Sequence, residues 1–276
     1  MRIRPLNLYR RGFNTANPNE KTIGDLLRGD KDMKGADLRG ANLSGFDLRG
    51  IDFRGANLEK ANLQEANLMN CNLEGANLWG AKLDSANFNY ANLRFANLTK
   101  SFINYTNFEE ADLSYANLSE NFYGQGIRFW KANLEGITWI KGRLGEYSSL
   151  VRANITNANL GGLRIKEAHC FGADFSNSRL QNAYFKDTDF NLAKFKDSNC
   201  ENMYFGYNDM RGTDFEGANL SRTIFSNVVL RDFLEEEYDE KMTNFEGRRV
   251  DGSQFKNITG LNPSIMDNLV RRGATF

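Results

Sequence analysis

A period of five residues governs this chain. From Ala36 it reads ADLRG ANLSG FDLRG IDFRG ANLEK ANLQE ANLMN CNLEG ANLWG AKLDS ANFNY ANLRF ANLTK. The third residue of each block, here called the centre, is Leu or Phe. Two residues before it stands Ala or another compact residue, with Asn or Asp between. Five matches neither the helical repeat of 3.6 nor the strand repeat of 2. On a helix the Leu residues would be smeared around the whole circumference, each rotated by roughly 140° from the last. A coil that turns a corner every five residues points every centre and every Ala inward instead. Four sides close a square, so residues twenty apart stack at strand spacing, about 4.8 Å. No single turn of such a solenoid is stable alone.

The centres run at fives from Met33 to Leu118 and Tyr123. They resume at Phe129, Leu134, Trp139 and Leu144, then at Leu150, and continue at fives to Leu230, with Phe245, Val250 and Phe255 after a gap. That gives about eleven turns and a rod on the order of 50 Å. Leu dominates the centres before residue 120 and Phe those after 170, with Ser178, Thr188, Ser198 and Thr213 as small polar neighbours of the rings.

The A-[DN]-[LF]-x-x blocks over roughly 33–258 resemble the pentapeptide-repeat family. The resemblance implies an all-β fold, a right-handed quadrilateral β-helix, here with short α-helical caps at both ends. The expected division is a basic arm over 1–18, an N-terminal cap over 19–32, the solenoid over 33–258 and a C-terminal cap over 259–276. In the first cap, Ile23, Leu26 and Leu27 share a helix face and Gly29 stops it. In the second, Pro263 opens a helix whose apolar side is Ile265, Leu269 and Val270, and Arg271 and Arg272 suit its last carbonyls. The ending GLNPSIMDNLVRRGATF resembles the C-terminal caps of cyanobacterial members. It reads either as a plain cap or as an end-to-end homodimer face.

Three features interrupt or decorate the coil. Two six-residue steps lie one turn apart, which stacks Gly124-Gln125-Gly126 beside Gly145-Glu146-Tyr147 at one corner, near Trp130 and Trp139. This is either a structural kink or a re-aimed functional corner. Arg231 to Lys241 would place Glu235 and Glu240 in the apolar column, so it leaves the coil as an acidic excursion with Glu236, Glu237 and Asp239. It reads as a solvated loop or as a docking loop for a basic partner. Finally, Arg164, Tyr184, Tyr204 and Ile224 precede centres on one face, with Lys166 and Lys186 just after two of them. Such a cluster is interface material, or else Tyr simply suits a strand surface. Phe95 and Tyr115 form a shorter outward pair.

Catalytic signatures are lacking. The chain holds one His, no nucleotide-binding fingerprint and no metal-ligand cluster, so no enzyme activity, cofactor, metal or small-molecule substrate is expected. His169 stands outward without a nucleophile partner fixed by spacing. Three Cys at wide spacing fit a reducing, cytoplasmic compartment, and no run reaches bilayer length. With 35 basic and 35 acidic residues, direct nucleic-acid binding is not expected. The reading is a non-enzymatic rod that binds another protein through its side faces, as monomer or end-to-end dimer. The alternative that the resemblance implies is a DNA-mimicking, gyrase-binding protein of the quinolone-resistance type, which the zero net charge weakens.

Overall fold

The computed structural model describes residues 22–121, 124–230, 243, 245, 250, 253–258 and 263–276. One block shows why the period is five. In Asn57-Leu58-Glu59-Lys60-Ala61 the Ala61 amide donates to the Leu58 carbonyl at 3.0 Å, closing a four-residue turn. Lys60, at the third turn position, has φ 55°, the signature of a type II-like turn. The Asn57 side-chain oxygen accepts from the Glu59 amide at 3.1 Å. That Asx turn explains the preference for Asn or Asp before each centre.

Turns are joined in parallel. The Leu58 amide donates to the Asn77 carbonyl at 2.8 Å, and the Asn77 amide returns to the Ala56 carbonyl at 2.9 Å. Bridges at this step form four ladders that follow one another around the coil, for example Asp32↔Asp52↔Asn72↔Asn92↔Asp112 and Asp37↔Asn57↔Asn77↔Asn97↔Asn117. The result is an all-parallel β-solenoid. On one ladder the pairing widens into a six-stranded sheet, β1(Arg143–Leu144), β2(Arg164–Lys166), β3(Tyr184–Lys186), β4(Tyr204–Gly206), β5(Ile224–Ser226) and β6(Gln254–Lys256), in that order.

Among the described residues the column inside holds the centres and the compact residues before them, nearly all solvent-free, with Phe46 only partly buried. After residue 170 it becomes two files of rings. Phe175, Phe195, Phe215 and Phe245 stack at 4.9, 5.0 and 5.5 Å. Phe205, Phe225 and Phe255 stack at 5.1 and 4.8 Å, and the files meet edge-on, as between Phe215 and Phe225. Buried hydroxyls beside the rings are satisfied. Ser178, Thr213 and Thr223 donate to the carbonyls of Ile155, Phe190 and Cys200 one turn back, at 2.8, 3.0 and 2.7 Å.

The register lengthens twice. Asn107↔Arg128 and Arg128↔Ser149 are twenty-one apart, after which Ser149↔His169 returns to twenty. Within this stretch the centre is Trp139, and Gly142 stands where Ala is usual. A Cβ on Gly142 would overlap the indole nitrogen, which has no hydrogen-bond partner. The small residue therefore compensates for the large one.

Both ends carry helices. α1 (Ile23–Leu27) is capped by Thr22, whose side chain accepts from the Gly24 amide while the Asp25 carboxylate accepts from the Thr22 amide. Leu26 is buried, but Leu27 is exposed rather than sharing its face. α2 (Pro263–Arg271) buries Leu269 and leans Ile265 on the core, while Val270 faces solvent. Arg272 reaches past its own helix to donate to the Phe245 carbonyl at 3.2 Å. Residues 1–21, which include the basic arm, and Tyr123 lie outside the described residues.

Two substitutions test the column. Leu78→Asp puts an unpaired charge at a fully buried centre and should cost about 4 kcal/mol or more; an unchanged melting temperature would refute the stacking. Gly142→Ala should destabilise by about 1–3 kcal/mol through overpacking. Adding Trp139→Leu should recover much of that loss, read as a positive coupling in a double-mutant cycle.

Candidate functional site

Along β1–β5 the centres point inward, so the residue before each centre points out. The register sets Arg143 against Arg164, Arg164 against Tyr184, Tyr184 against Tyr204, and Tyr204 against Ile224. The two tyrosine rings stack with centroids 4.8 Å apart and planes 9° from parallel. Strand spacing alone delivers that separation. Gly206 lets the Tyr204 ring lean along the strand, because a Cβ there would overlap it. The Arg164 guanidinium lies 5.9 Å from the Tyr184 ring centre, within cation–π range.

Of the three cations that the sequence singles out, only Arg164 stands beside these rings unpaired. Lys166 pairs with Glu167 at 2.5 Å and Lys186 with Asp187 at 3.3 Å, so both are neutralised at the far corner. Lys141 and Arg143 take their place. With Arg164, Asn182, Asn202 and the two tyrosines they line a groove of about 500 Å³ between the strand face and the preceding corner. Among the described residues, no carboxylate lies within ion-pair distance of Lys141, Arg143 or Arg164. Arg143 could have been found by counting back along the ladder from Tyr184 through Arg164. Lys141 and the two Asn stand two residues before the outward positions, a second ladder that the sequence analysis did not follow.

The stacked insertions sit at the corner that follows β1, on the other side of the strand face from the groove. The Gly145 amide donates to the Gly124 carbonyl at 2.7 Å and the Gly126 amide to the Glu146 carbonyl at 2.8 Å. Gly124 bridges Leu144 in β1. Gly126 has no side chain because the Tyr105 ring lies against it, with its hydroxyl 3.4 Å from the Gln125 side-chain oxygen. Tyr147 is 73% exposed. Tyr105 is a surface aromatic that the sequence analysis missed. The outward pair Phe95–Tyr115 stacks at 5.4 Å on another corner. Glu235, Glu236, Glu237, Asp239 and Glu240 lie outside the described residues.

On the first turns and at Asp209 the surface charge is locally cancelled. Asp37, Asp47 and Asp209 are each gripped by the Arg two residues on, with side-chain contacts of 2.5–2.8 Å from Nε and Nη2 of Arg39, Arg49 and Arg211. Arg54 and Lys34 together hold the Asp52 carboxyl down to about 2. The cysteines are free and buried. Desolvation pushes Cys71 up to about 11 and Cys200 up to about 12, so neither is a nucleophile near neutrality. Among the described residues no group of His, Cys, Asp or Glu could hold a metal ion, and no helix is long and apolar enough to cross a membrane.

With this geometry in place, the sequence profile described as pentapeptide repeats matches eight copies, over 32–68, 66–104, 91–120, 168–202 and 193–232. These segments cover more than half of the chain. The chain belongs to the pentapeptide-repeat family. The unmatched stretch between them, 121–167, contains both one-residue insertions of the solenoid. Solved pentapeptide-repeat structures are similar to it. HetL, involved in heterocyst differentiation regulation in the cyanobacterium Nostoc sp., is 23% identical over 75% of this chain and 92% of its own, with a TM-score of 0.47. QnrB1, a plasmid-mediated fluoroquinolone resistance protein, is 18% identical over 69% and 94%, at 0.34. The alr5209 protein of Nostoc is 26% identical over 45% and 78%, at 0.17. No curated protein matches the chain.

The Arg grip on Asp52 is testable by pH. A carboxyl held below its ordinary value of 3.8 contributes stability at higher pH and loses it as pH falls toward about 2. Arg54→Ala should move the Asp52 carboxyl midpoint, followed by NMR, up toward 3.8; an unmoved midpoint would show that Arg54 is not the cause.

Proposed function

We propose that this pentapeptide-repeat protein is a non-enzymatic interaction module that binds an acid-bearing protein partner in the groove beside Tyr184 and Tyr204. The observation that carries the reading is the stacked tyrosine pair next to Lys141, Arg143 and Arg164, cations that no described carboxylate neutralises. Aromatic and Arg side chains on a rigid element dominate binding energies at interfaces. A rigid wall loses little conformational entropy on binding. In this reading the coil is a right-handed quadrilateral β-helix of about eleven turns, with 33–258 as solenoid between the two caps. It works in the cytoplasm, and Met266, Val270 and Phe276, exposed at the C-terminal end, are where end-to-end pairing would occur.

The DNA-mimic alternative is disfavoured by charge. Asp37, Asp47 and Asp52 each carry their own Arg, so these acids do not act as a row of bare phosphate-like groups. A DNA gyrase supercoiling assay with a fluoroquinolone tests it, and protection by the protein would revive it.

The direct test is Tyr184→Ala with Tyr204→Ala. Partners captured by the wild-type chain should bind the double variant more than tenfold more weakly, since one such ring is often worth about 2 kcal/mol. The melting temperature should stay nearly constant. Capture that survives both this variant and Arg143→Glu with Arg164→Glu would overturn the assignment of the groove.

A further inference from the structure

The corner diagonally across the coil from the groove carries a second apolar ladder. Trp130, Val151 and Phe171 each follow a centre and stand on successive turns. The Lys131 amide donates to the Val151 carbonyl at 3.0 Å and the Arg152 amide to the Phe171 carbonyl at 2.9 Å. One turn further Leu192 takes the corner position, 42% exposed. From Trp130 to Leu192 the ladder runs about 14 Å at strand spacing. Its upper end is open because Gly172 leaves only the Arg152 stem nearby, 3.7 Å from where a Cβ would be.

Three cations border it. Arg128 stands two residues before Trp130, and Lys131 and Arg152 occupy the corner itself, all exposed. The Lys131 ammonium lies 4.1 Å from the centre of the Trp130 ring. Among the described residues none of the three cations has a carboxylate within ion-pair distance. This contrasts with the chelated Arg residues of the first turns; Glu109 and Glu110 hold the rung below, where the Glu110 amide donates to the Trp130 carbonyl at 2.9 Å, so the positive charge is confined to the rungs of Arg128, Lys131 and Arg152.

We infer that this corner is a second docking surface, which takes an acidic amphipathic peptide segment of a protein partner. The apolar side chains of that segment would cover Trp130, Val151 and Phe171, and its carboxylates would meet Arg128, Lys131 and Arg152. Charge complementarity selects an acidic partner. The shape selects a peptide over a lipid surface. Val151 and Phe171 are only partly exposed and Trp130 lies beneath Lys131, so Leu192 alone of this ladder stands clear of its neighbours, too little apolar surface to enter an acyl layer. A flat, half-buried ladder with Trp and Arg anchors is the usual form of a protein contact.

The probe is a twelve-residue synthetic peptide of Glu alternating with Leu and Phe, with its Lys-for-Glu counterpart, titrated calorimetrically against the full chain. The acidic peptide should bind, more weakly as salt rises, and the basic one should not. Arg128→Glu with Lys131→Glu and Arg152→Glu should lower corner affinity at least tenfold, or remove one of two sites if the groove also binds the peptide. Trp130→Ala alone should do the same in part, with no loss of melting temperature in either variant. The Tyr184→Ala, Tyr204→Ala variant should keep corner binding within twofold. Full loss in that groove variant with none in the corner variants overturns the inference while leaving the groove intact. Absence of acidic-peptide binding overturns it as well, including when vesicles of anionic phospholipid bind instead.

Discussion

The amide of each centre residue donates to the carbonyl of the residue before the centre one turn on, as in Leu78 to Asn97 at 2.7 Å and Leu98 to Asn117 at 2.8 Å. That bond recurs because successive turns have nearly equal length, and because each extra residue is taken up at a corner it survives the two longer turns, as in Phe108 to Arg128 at 2.7 Å. Equal length is what aligns the Leu and Phe of the column, keeps the buried carbonyls paired and spaces the rungs. The stacking of Phe195 on Phe215 at 5.0 Å and of Tyr184 on Tyr204 at 4.8 Å is set by the backbone, which happens to repeat at the distance aromatic faces prefer. Core and surface therefore share one metric, and an outward side chain acquires neighbours from its turn number alone.

This metric decides what was legible in the sequence. The solenoid could be read because apolar residues at fives have no other compact solution, and Tyr184 over Tyr204 followed from a separation of twenty. Orientation inside the short caps could not. Leu27 and Val270 satisfy helical spacing, yet how a helix rolls against the terminal coil depends on that coil's shape, and both residues face solvent. The charges of the groove were half legible. Lys166 and Lys186 do stand on the expected face, but each bends to the acid next in sequence, a choice of rotamer that no spacing encodes. Lys141 enters the site because a groove forms between two ladders, a strand face and a corner, and only one of them had been traced.

The distribution of charge matters more than its total. An Arg two residues after an Asp closes a local chelate and leaves almost nothing for a partner, and such surface pairs add little stability. An Arg two residues after no acid stays available. Lys141, Arg143 and Arg164 at one corner and Arg128, Lys131 and Arg152 at the opposite one are of this second kind. A chain with no net charge can thus present two basic strips while the chelated Asp–Arg pairs of its first turns stay electrically quiet, and the buried, strongly protonated thiols keep the column chemically quiet.

The two lengthened turns carry a consequence for folding. Where every turn has the same length and nearly the same sequence, a strand can dock on the wrong neighbour and still bury its Leu residues, an error of phase that costs little. Gly126 N–H to Glu146 C=O and Gly145 N–H to Gly124 C=O join two turns that match each other better than they match any ordinary turn. They act as an indexing notch. A chain that has mated these two has fixed the phase of every turn on either side, and a register slip would have to break the notch to propagate past it.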